Sequence, residues 1–254
     1  MIDLEQSSAV VFGGASGLGR ATAELLVSRG AHVVVADLNG DAAASAAQEI
    51  GAEAVATDVT VPDDVERAIS AAQGLAPLRV SVCCAGLGAP AKILGRHAEP
   101  LALERYAQII NVNLIGTFNA LRLAAAAMTA NEPGEDGDRG IIVNTASVAA
   151  YDGQIGQPAY ASSKAGVVGL TLPAARELAR YGIRVMTIAP GIFDTPMLAS
   201  LPDEARASLA SAIPFPARLG KPAEYAQLVL HFVENPVING ETVRLDGGIR
   251  MAPR

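Results

Sequence analysis

Several residue types that common functions depend on are scarce in this chain. Lys and Arg number 19 against 26 Asp and Glu, a net charge of −7, and aromatic residues are only 4% with no Trp. No basic cluster interleaves with aromatics, so a nucleic-acid-binding role is a poor first reading, because phosphate neutralisation needs a basic face. An acidic ligand would have to be held by local cations or backbone amides. The only cysteines, Cys83 and Cys84, are adjacent. Neighbours in a strand point to opposite faces, which makes them poor disulfide partners and points to a buried strand in a reducing compartment. His32, His97 and His231 are scattered without ligand spacing, so no catalytic metal is expected. The start, MIDLEQSSAVVF, lacks the basic region and long apolar core of a secretory signal. No segment reads as a run of about 20 apolar residues. These absences describe a soluble intracellular protein.

What is present is a repeated alternation. Half of the 254 residues are apolar, and the 15 Pro and 25 Gly are dispersed among apolar segments instead of pooled in a disordered tract. Val/Ile-rich runs at 8–12, 32–37, 53–59, 79–85, 140–147, 183–190 and 242–246 predict seven strands. Between them, helices are predicted near 19–28, 41–50, 62–73, 101–129, 158–180 and 221–234. Pro62 with Asp63 and Asp64 suits a helix N-terminus. Near-continuous apolar strands predict a sheet covered on both faces, hence an α/β, doubly wound parallel fold of the Rossmann kind in one domain spanning 1–254. Ligands in such folds bind at the carboxyl ends of the strands.

The first strand runs into FGGASGLGRATAELL, with Gly13, Gly17 and Gly19 in a G-x-x-x-G-x-G spacing. The mechanism needs backbone close to a pyrophosphate at a helix N-terminus, whose free N–H groups and dipole favour an anion. Asp37 ends the second strand 18 residues beyond Gly19, near the interval expected of an acid that binds adenosine ribose hydroxyls. A carboxylate there repels a 2′-phosphate, and Ser16 supplies no positive charge to offset it. NAD(H) is therefore favoured over NADP(H). Asp58, ending the third strand, is expected on the same rim.

The stretch 144–166, NTASVAAYDGQIGQPAYASSKAG, places Lys164 four residues after Tyr160, so the two share a helix face. A free phenol has a pKa of about 10; a nearby ammonium stabilises phenolate, and lowering the pKa by about three units corresponds to about 4 kcal/mol. Such a pair serves as a general acid or base near neutral pH. Ser147 is placed to hold the oxygen of a reacting alcohol or carbonyl. Tyr151 has no Lys at i+4 and reads as a pocket wall.

Together these features resemble the short-chain dehydrogenase/reductase family over essentially the whole chain. The residues that carry the resemblance are GGASGLG, Asp37, TDVT at 57–60, CAG at 84–86, NVN at 111–113, Ser147, Tyr160-x-x-x-Lys164, and PG-x-x-x-T at 190–195. The resemblance implies that Tyr160 is the catalytic acid/base and that Ser147 orients the substrate oxygen. Lys164 would lower the Tyr pKa and bind the nicotinamide ribose, and Asn113 would hold a water in a proton relay. The cofactor-binding set it implies comprises Gly13, Ser16, Gly17, Leu18, Gly19, Asp37, Asp58, Val59, Cys84, Ala85, Gly86, Tyr160, Lys164, Pro190, Gly191, Phe193 and Thr195. Within that set Asp58 and Val59 flank the adenine, Gly86 packs near the ribose, and Phe193 and Thr195 hold the nicotinamide end. Two positions depart from the common pattern: Phe12 stands in place of a usual Thr, and Cys84 in place of the second Asn of N-N-A-G. Both normally brace loops of the cofactor site.

A narrower resemblance, carried by NTASVAAYDGQIGQPAYASSKAG, IRVMTIAPGIFDTPML, IPFPARLGKPAEYAQLV and NGETVRLDGGIRMAP, is to the type 2 3-hydroxyacyl-CoA dehydrogenases, a group also described as 17β-hydroxysteroid dehydrogenases of the tenth type. It implies NAD-dependent, reversible oxidation of a 3-hydroxyacyl-CoA and a homotetramer. Residues from about 195 to 215 are expected to form a substrate lid. Gln154 and Gln157 are candidates for positioning a thioester, with a polar loop surface the equal alternative. Competing readings are a dehydrogenase of steroids or other secondary alcohols, a 3-oxoacyl carrier-protein reductase, and a cofactor-binding scaffold without catalysis. The Ala-rich composition points to a bacterial cytoplasm, with the mitochondrial matrix as the eukaryotic alternative.

Overall fold

The structure, a computed structural model, describes residues 2–88, 90–199 and 202–253. Seven strands form one parallel sheet: β1 (Ser8–Phe12), β2 (His32–Asp37), β3 (Glu53–Ala56), β4 (Leu78–Cys83), β5 (Gly140–Thr145), β6 (Ile183–Pro190) and β7 (Thr242–Leu245). Their order is β3-β2-β1-β4-β5-β6-β7. The chain builds outward from β1 to β3 and then returns to the other side of β1. The reversal opens a crevice between the carboxyl ends of β1 and β4, where ligands of such sheets bind.

Alternate strand residues enter two separate cores. Ala9 and Val11 of β1, Val33 and Val35 of β2, and Ile141 and Val143 of β5 face one side. There they meet α1 (Gly17–Ser28), α2 (Gly40–Ile50) and α9 (Pro222–Glu234) through Leu26, Ala46 and Val229. Val10, Phe12, Val34 and Ile142 face the other side, against α3 (Pro62–Leu75), α5 (Thr117–Met128) and α6 (Pro158–Leu178). Burial on both faces is why these strands read as apolar runs without polar alternation. Phe12, at the position where a Thr is common, is fully buried in the second core.

The predicted helix 101–129 is three pieces in one rod: α4 (Leu103–Ile110), a π-helical turn (Asn111–Gly116) and α5. By length and composition the run Leu103–Met128 is apolar enough to cross a membrane, which corrects the expectation that no segment is. Half of its most apolar window is buried, with Leu121, Ala124 and Met128 against the sheet. Four strands end earlier than predicted: β4 stops at Cys83, so Cys84 lies beyond the strand, and β7 stops at Leu245. β3 stops at Ala56, so Asp58 lies beyond the strand in a turn, and β5 stops at Thr145, so Ser147 lies beyond it as well. The lid region contains α7 (Pro196–Ala199) and α8 (Asp203–Ser211); residues 200 and 201 lie outside the described residues.

Candidate active site

The Gly-rich turn is shaped by what its missing side chains admit. Gly13 has φ +73°, and a Cβ there would lie 2.6 Å from the Ala85 nitrogen. The turn after β1 and the loop after β4 therefore touch backbone to backbone across the crevice. A Cβ at Gly19 would fall 2.1 Å from the Gly13 carbonyl oxygen, so α1 packs directly onto the turn. Gly17, at φ +53°, faces Thr195, with a Cβ–Cγ2 separation of 3.4 Å. Three segments predicted to hold one cofactor thus converge. Ser16 at the N-cap of α1 makes no side-chain cap, and the first turn carries no acid, so its N–H groups and dipole are directed into the crevice beside Leu18. This cradle fits a dinucleotide pyrophosphate.

Asp37 sits on the rim of the same turn. One carboxylate oxygen accepts the Ala15 N–H at 3.1 Å and the other accepts the Asn39 N–H at 3.1 Å. Asn39 in turn caps α2 by accepting the Ala42 N–H. Arg20, on the opening turns of α1, is engaged by Glu49. Asp58 closes its own turn, accepting from the Thr60 N–H at 2.8 Å and hydroxyl at 2.7 Å. The Val59 side chain is buried against Gly116, whose Cβ would meet it at 2.6 Å, and the Val59 carbonyl accepts Asn119 Nδ2 at 2.9 Å.

The residues predicted to move protons gather at the ends of β4 and β5. Lys164 is buried on α6, and its Nζ donates to the Thr145 carbonyl at 2.7 Å. That Nζ lies 5.9 Å from the centre of the Tyr160 ring. Gly86 leaves room for both neighbours: a Cβ there would stand 3.2 Å from Asn113 Oδ1 and 3.5 Å from Lys164 Nζ. Asn113, within the π turn and fully buried, uses its side chain to brace the loop. Its Oδ1 accepts the Leu87 N–H at 2.7 Å, and its Nδ2 donates to the Leu87 carbonyl and to Ser163 Oγ, both at 3.0 Å. Ser163 donates to the Tyr160 carbonyl at 2.7 Å. Ser147 is 8% exposed and caps the short turn 148–150, against which α6 packs. Its Oγ accepts the Ala149 N–H at 3.1 Å, which leaves the hydroxyl proton for a substrate oxygen.

The strand-end loop after β6 completes the rim. Pro190 ends β6, and Gly191 packs on Asp246, where a Cβ would approach to 2.8 Å. The Phe193 ring is buried against Gly220. Asp194 pairs with Arg206 of α8 at 2.6 Å, tying the lid region to this loop. The two glutamines considered for positioning a thioester are tied into the loop before α6. Gln154 and Gln157 bond each other at 3.3 Å, and Gln154 Nε2 donates to the Ala252 carbonyl at 2.9 Å. They pin the C-terminal segment to the Tyr151–Gln157 loop.

Some supporting groups carried no sequence signal. Arg244 of β7 pairs with Asp152 at 2.6 Å and with Asp246 at 2.7 Å, and stacks 5.2 Å from the Tyr151 ring centre. Thr145 and Tyr225 meet beneath Lys164 at 2.7 Å, although 80 residues separate them. Tyr225 reads in sequence as one more apolar-face residue of a helix. Among the described residues no three His, Cys, Asp or Glu side chains converge as metal ligands.

A doubly wound parallel sheet with a glycine cradle at its reversal, beside a Ser, a Tyr and a buried Lys, defines a dehydrogenase. The family model for short chain dehydrogenases matches residues 7–206; the chain belongs to that family and is an oxidoreductase. It is 52% identical to 3-hydroxyacyl-CoA dehydrogenase type-2 of Drosophila melanogaster, over 98% of this chain and 100% of that one. It is also 52% identical to the protein of the same name from Homo sapiens, over 96% and 95%. The crystal structure of 3-hydroxyacyl-CoA dehydrogenase type-2 from Mycobacterium avium is similar at a TM-score of 0.96 and 48% identity, covering 99% of this chain and 98% of that one.

Proposed function

We propose that this enzyme catalyses the NAD-dependent, reversible oxidation of a 3-hydroxyacyl-CoA to the 3-oxoacyl-CoA. NAD⁺, when bound, supplies the hydride acceptor. Gly13, Gly17 and Gly19 let the backbone approach its pyrophosphate, and Asp37 favours the unphosphorylated ribose. Ser147 donates its hydroxyl proton to the substrate oxygen, holding that oxygen against Tyr160. The Tyr160 side-chain oxygen takes the hydroxyl proton as the C–H bond gives up its hydride to that acceptor, and returns the proton in the reverse direction. Lys164 places its ammonium beside the phenol, where it stabilises the negative charge that develops on the Tyr160 oxygen during proton transfer.

The observation that carries this reading is the placement of Lys164: buried, anchored on the Thr145 carbonyl at 2.7 Å, and aligned with the Tyr160 ring. Burial of an ammonium is costly unless it is paired and hydrogen-bonded, and here that cost is spent beside a tyrosine. The 3-hydroxyacyl-CoA preference is supported by the names of the similar dehydrogenases. Exposed Ile115, Phe118 and Leu172 on the π turn, α5 and α6 leave apolar surface for contacts between copies of the proposed homotetramer. The test is steady-state kinetics with acetoacetyl-CoA, branched 3-hydroxyacyl-CoAs and a steroid alcohol, each with NAD(H) and NADP(H). Tyr160→Phe is expected to lower kcat by at least about 100-fold, as loss of a general acid/base does, while retaining NADH binding. Turnover within about threefold of wild type would overturn the mechanism. A clear preference for the steroid alcohol would overturn the substrate class alone.

A further inference from the structure

Tyr225 is fully buried on α9, in a helix whose other inward residues, Val229 and Val233, are purely apolar. A buried phenol hydroxyl needs a partner, and this one has two, both at the strand ends beneath the proton-transfer site. Its oxygen is 2.7 Å from Thr145 Oγ1 and 3.6 Å from Cys84 Sγ. Counting protons fixes the direction of the chain. Thr145 Oγ1 lies 2.6 Å from the Cys83 carbonyl and gives its single proton there. Tyr225 therefore donates to Thr145, and the Cys84 thiol donates to Tyr225. Both donors keep their protons: burial pushes the Cys84 thiol up to about 11 and raises the Tyr225 phenol well above its ordinary value.

The relay Cys84–Tyr225–Thr145–Cys83 joins α9 to the ends of β4 and β5 on one side of the sheet. On its other side the same Thr145 offers its carbonyl to Lys164 Nζ at 2.7 Å. Thr145 is the last residue of β5, and the peptide that carries its carbonyl is tied on one side by the Ala146 N–H, which donates to the Ile188 carbonyl at 2.7 Å. Its side chain is held by the Tyr225 hydroxyl and the Cys83 carbonyl, a second tie on the residue that presents the carbonyl to Lys164. Cys84 stands where the family commonly has an asparagine that braces this loop, and the thiol–phenol–hydroxyl relay occupies the place of that brace.

We infer that Tyr225 is a positioning residue for the dehydrogenase reaction, its hydroxyl fixing the Thr145 carbonyl that in turn holds Lys164 beside Tyr160. The inference rests on Tyr160 and Lys164 being the proton-transfer pair. Tyr225→Phe removes one oxygen and preserves the core. Without the clamp the ammonium sits less closely on the phenol and stabilises less well the charge that develops on the Tyr160 oxygen as it moves the proton.

The experiment is the pH dependence of kcat for alcohol oxidation in the full-length enzyme, with thermal melting recorded on the same samples. Tyr225→Phe is expected to lower kcat about tenfold with KM within about twofold, the pattern of a lost transition-state interaction. The rising limb of its pH profile should move up by about half a unit or more. Thr145→Val, which keeps the shape and loses the hydroxyl, should do the same. Thr145→Ser should restore the wild-type profile, and the double variant Tyr225→Phe/Thr145→Val should cost no more than either single change. Thr145→Val decides the question by itself if Tyr225→Phe does not fold. Either folded variant showing wild-type kcat and an unmoved limb overturns the inference, even with a lowered melting temperature, because a purely structural hydroxyl would give that result. A wild-type enzyme inactive on every alcohol and ketone would instead overturn the function proposed above.

Discussion

Replacing Asp37 by Asn keeps the shape of the side chain and removes its charge, at the position proposed to favour the unphosphorylated ribose. Two consequences are separable. First, the carboxylate holds the Ala15 and Asn39 N–H groups at 3.1 Å each. Hydrogen bonds to a charged group are worth about 1.5–3 kcal/mol and neutral ones about 0.5–1.5 kcal/mol. Asn still presents one oxygen, so the turn loosens by about 1–2 kcal/mol, a loss shared by both cofactors. Second, the repulsion between the carboxylate and a 2′-phosphate disappears. At a separation of about 6 Å and an effective dielectric constant of about 40, Coulomb's law gives about 1.4 kcal/mol per unit charge, hence about 2–3 kcal/mol for a phosphate carrying nearly two. Arg20, already engaged by Glu49, does not offset that repulsion in the wild type. The ratio of NADPH to NADH dissociation constants should therefore fall about 100-fold in Asp37→Asn, with NADH itself binding about 5–30-fold more weakly. Fluorescence titration of both reduced cofactors at fixed ionic strength measures this directly. A ratio that changes by less than about threefold would show that specificity lies elsewhere in the site.

Three further outcomes follow from the geometry. Gly13→Ala places a methyl 2.6 Å from the Ala85 nitrogen at a φ of +73°; left-handed backbone alone costs an alanine about 1–2 kcal/mol, so NADH affinity should drop more than about tenfold, and near-wild-type titration would refute the backbone contact. Arg184→Met strips the partners from the Phe232, Val233, Asn235 and Ile238 carbonyls, bonded at 2.6, 3.2, 3.2 and 3.2 Å, and leaves buried Asp138 uncompensated. A loss of about 3–5 kcal/mol is expected, seen as a fall of about 10 °C or more in melting temperature, and a change below about 2 °C would contradict it. Glu224 is held down to about 2, chiefly by its hydrogen bond from Arg218 and then by the Lys221 N–H. A depressed carboxyl contributes stability above its unfolded pKa, about 4.3, and loses it as pH falls from there toward 2. More than a third of each partner is exposed, so solvent screening limits the effect to about 1 kcal/mol; Glu224→Gln should flatten the melting-temperature profile over that window only.

Much of this molecule is legible in its sequence because burial on both sheet faces leaves contiguous apolar runs. All seven strands sit where the Val/Ile segments place them, and the order of the motifs already implies a crevice at the reversal. The differences have local causes. β3 is an edge strand, so the apolar Val55 and Val59 continue a pattern that only one neighbouring strand can pair. The π turn is invisible because Asn111–Gly116 keeps helical periodicity on either side. Gln154 and Gln157 stand out as polar residues near Tyr160, but a sequence does not show that they bond each other and Ala252. The Tyr225 clamp is the clearest case: Cys84 and Tyr225 are 141 residues apart, and no spacing rule connects them.

The π turn between α4 and α5 also determines what kinds of change this helix accommodates. An extra residue in one turn advances the face of everything after it by about 100°. Within that joint Asn113 is aimed at the Leu87 loop, and downstream Ala120, Leu121 and Ala124 are aimed at the sheet. A single-residue deletion inside Asn111–Gly116 is thus a rotation and not a shortening: it takes either the asparagine off its loop or the alanines off the sheet. The turn works as an indexing joint, setting the angular offset between the half of the rod that serves the chemistry and the half that serves the core.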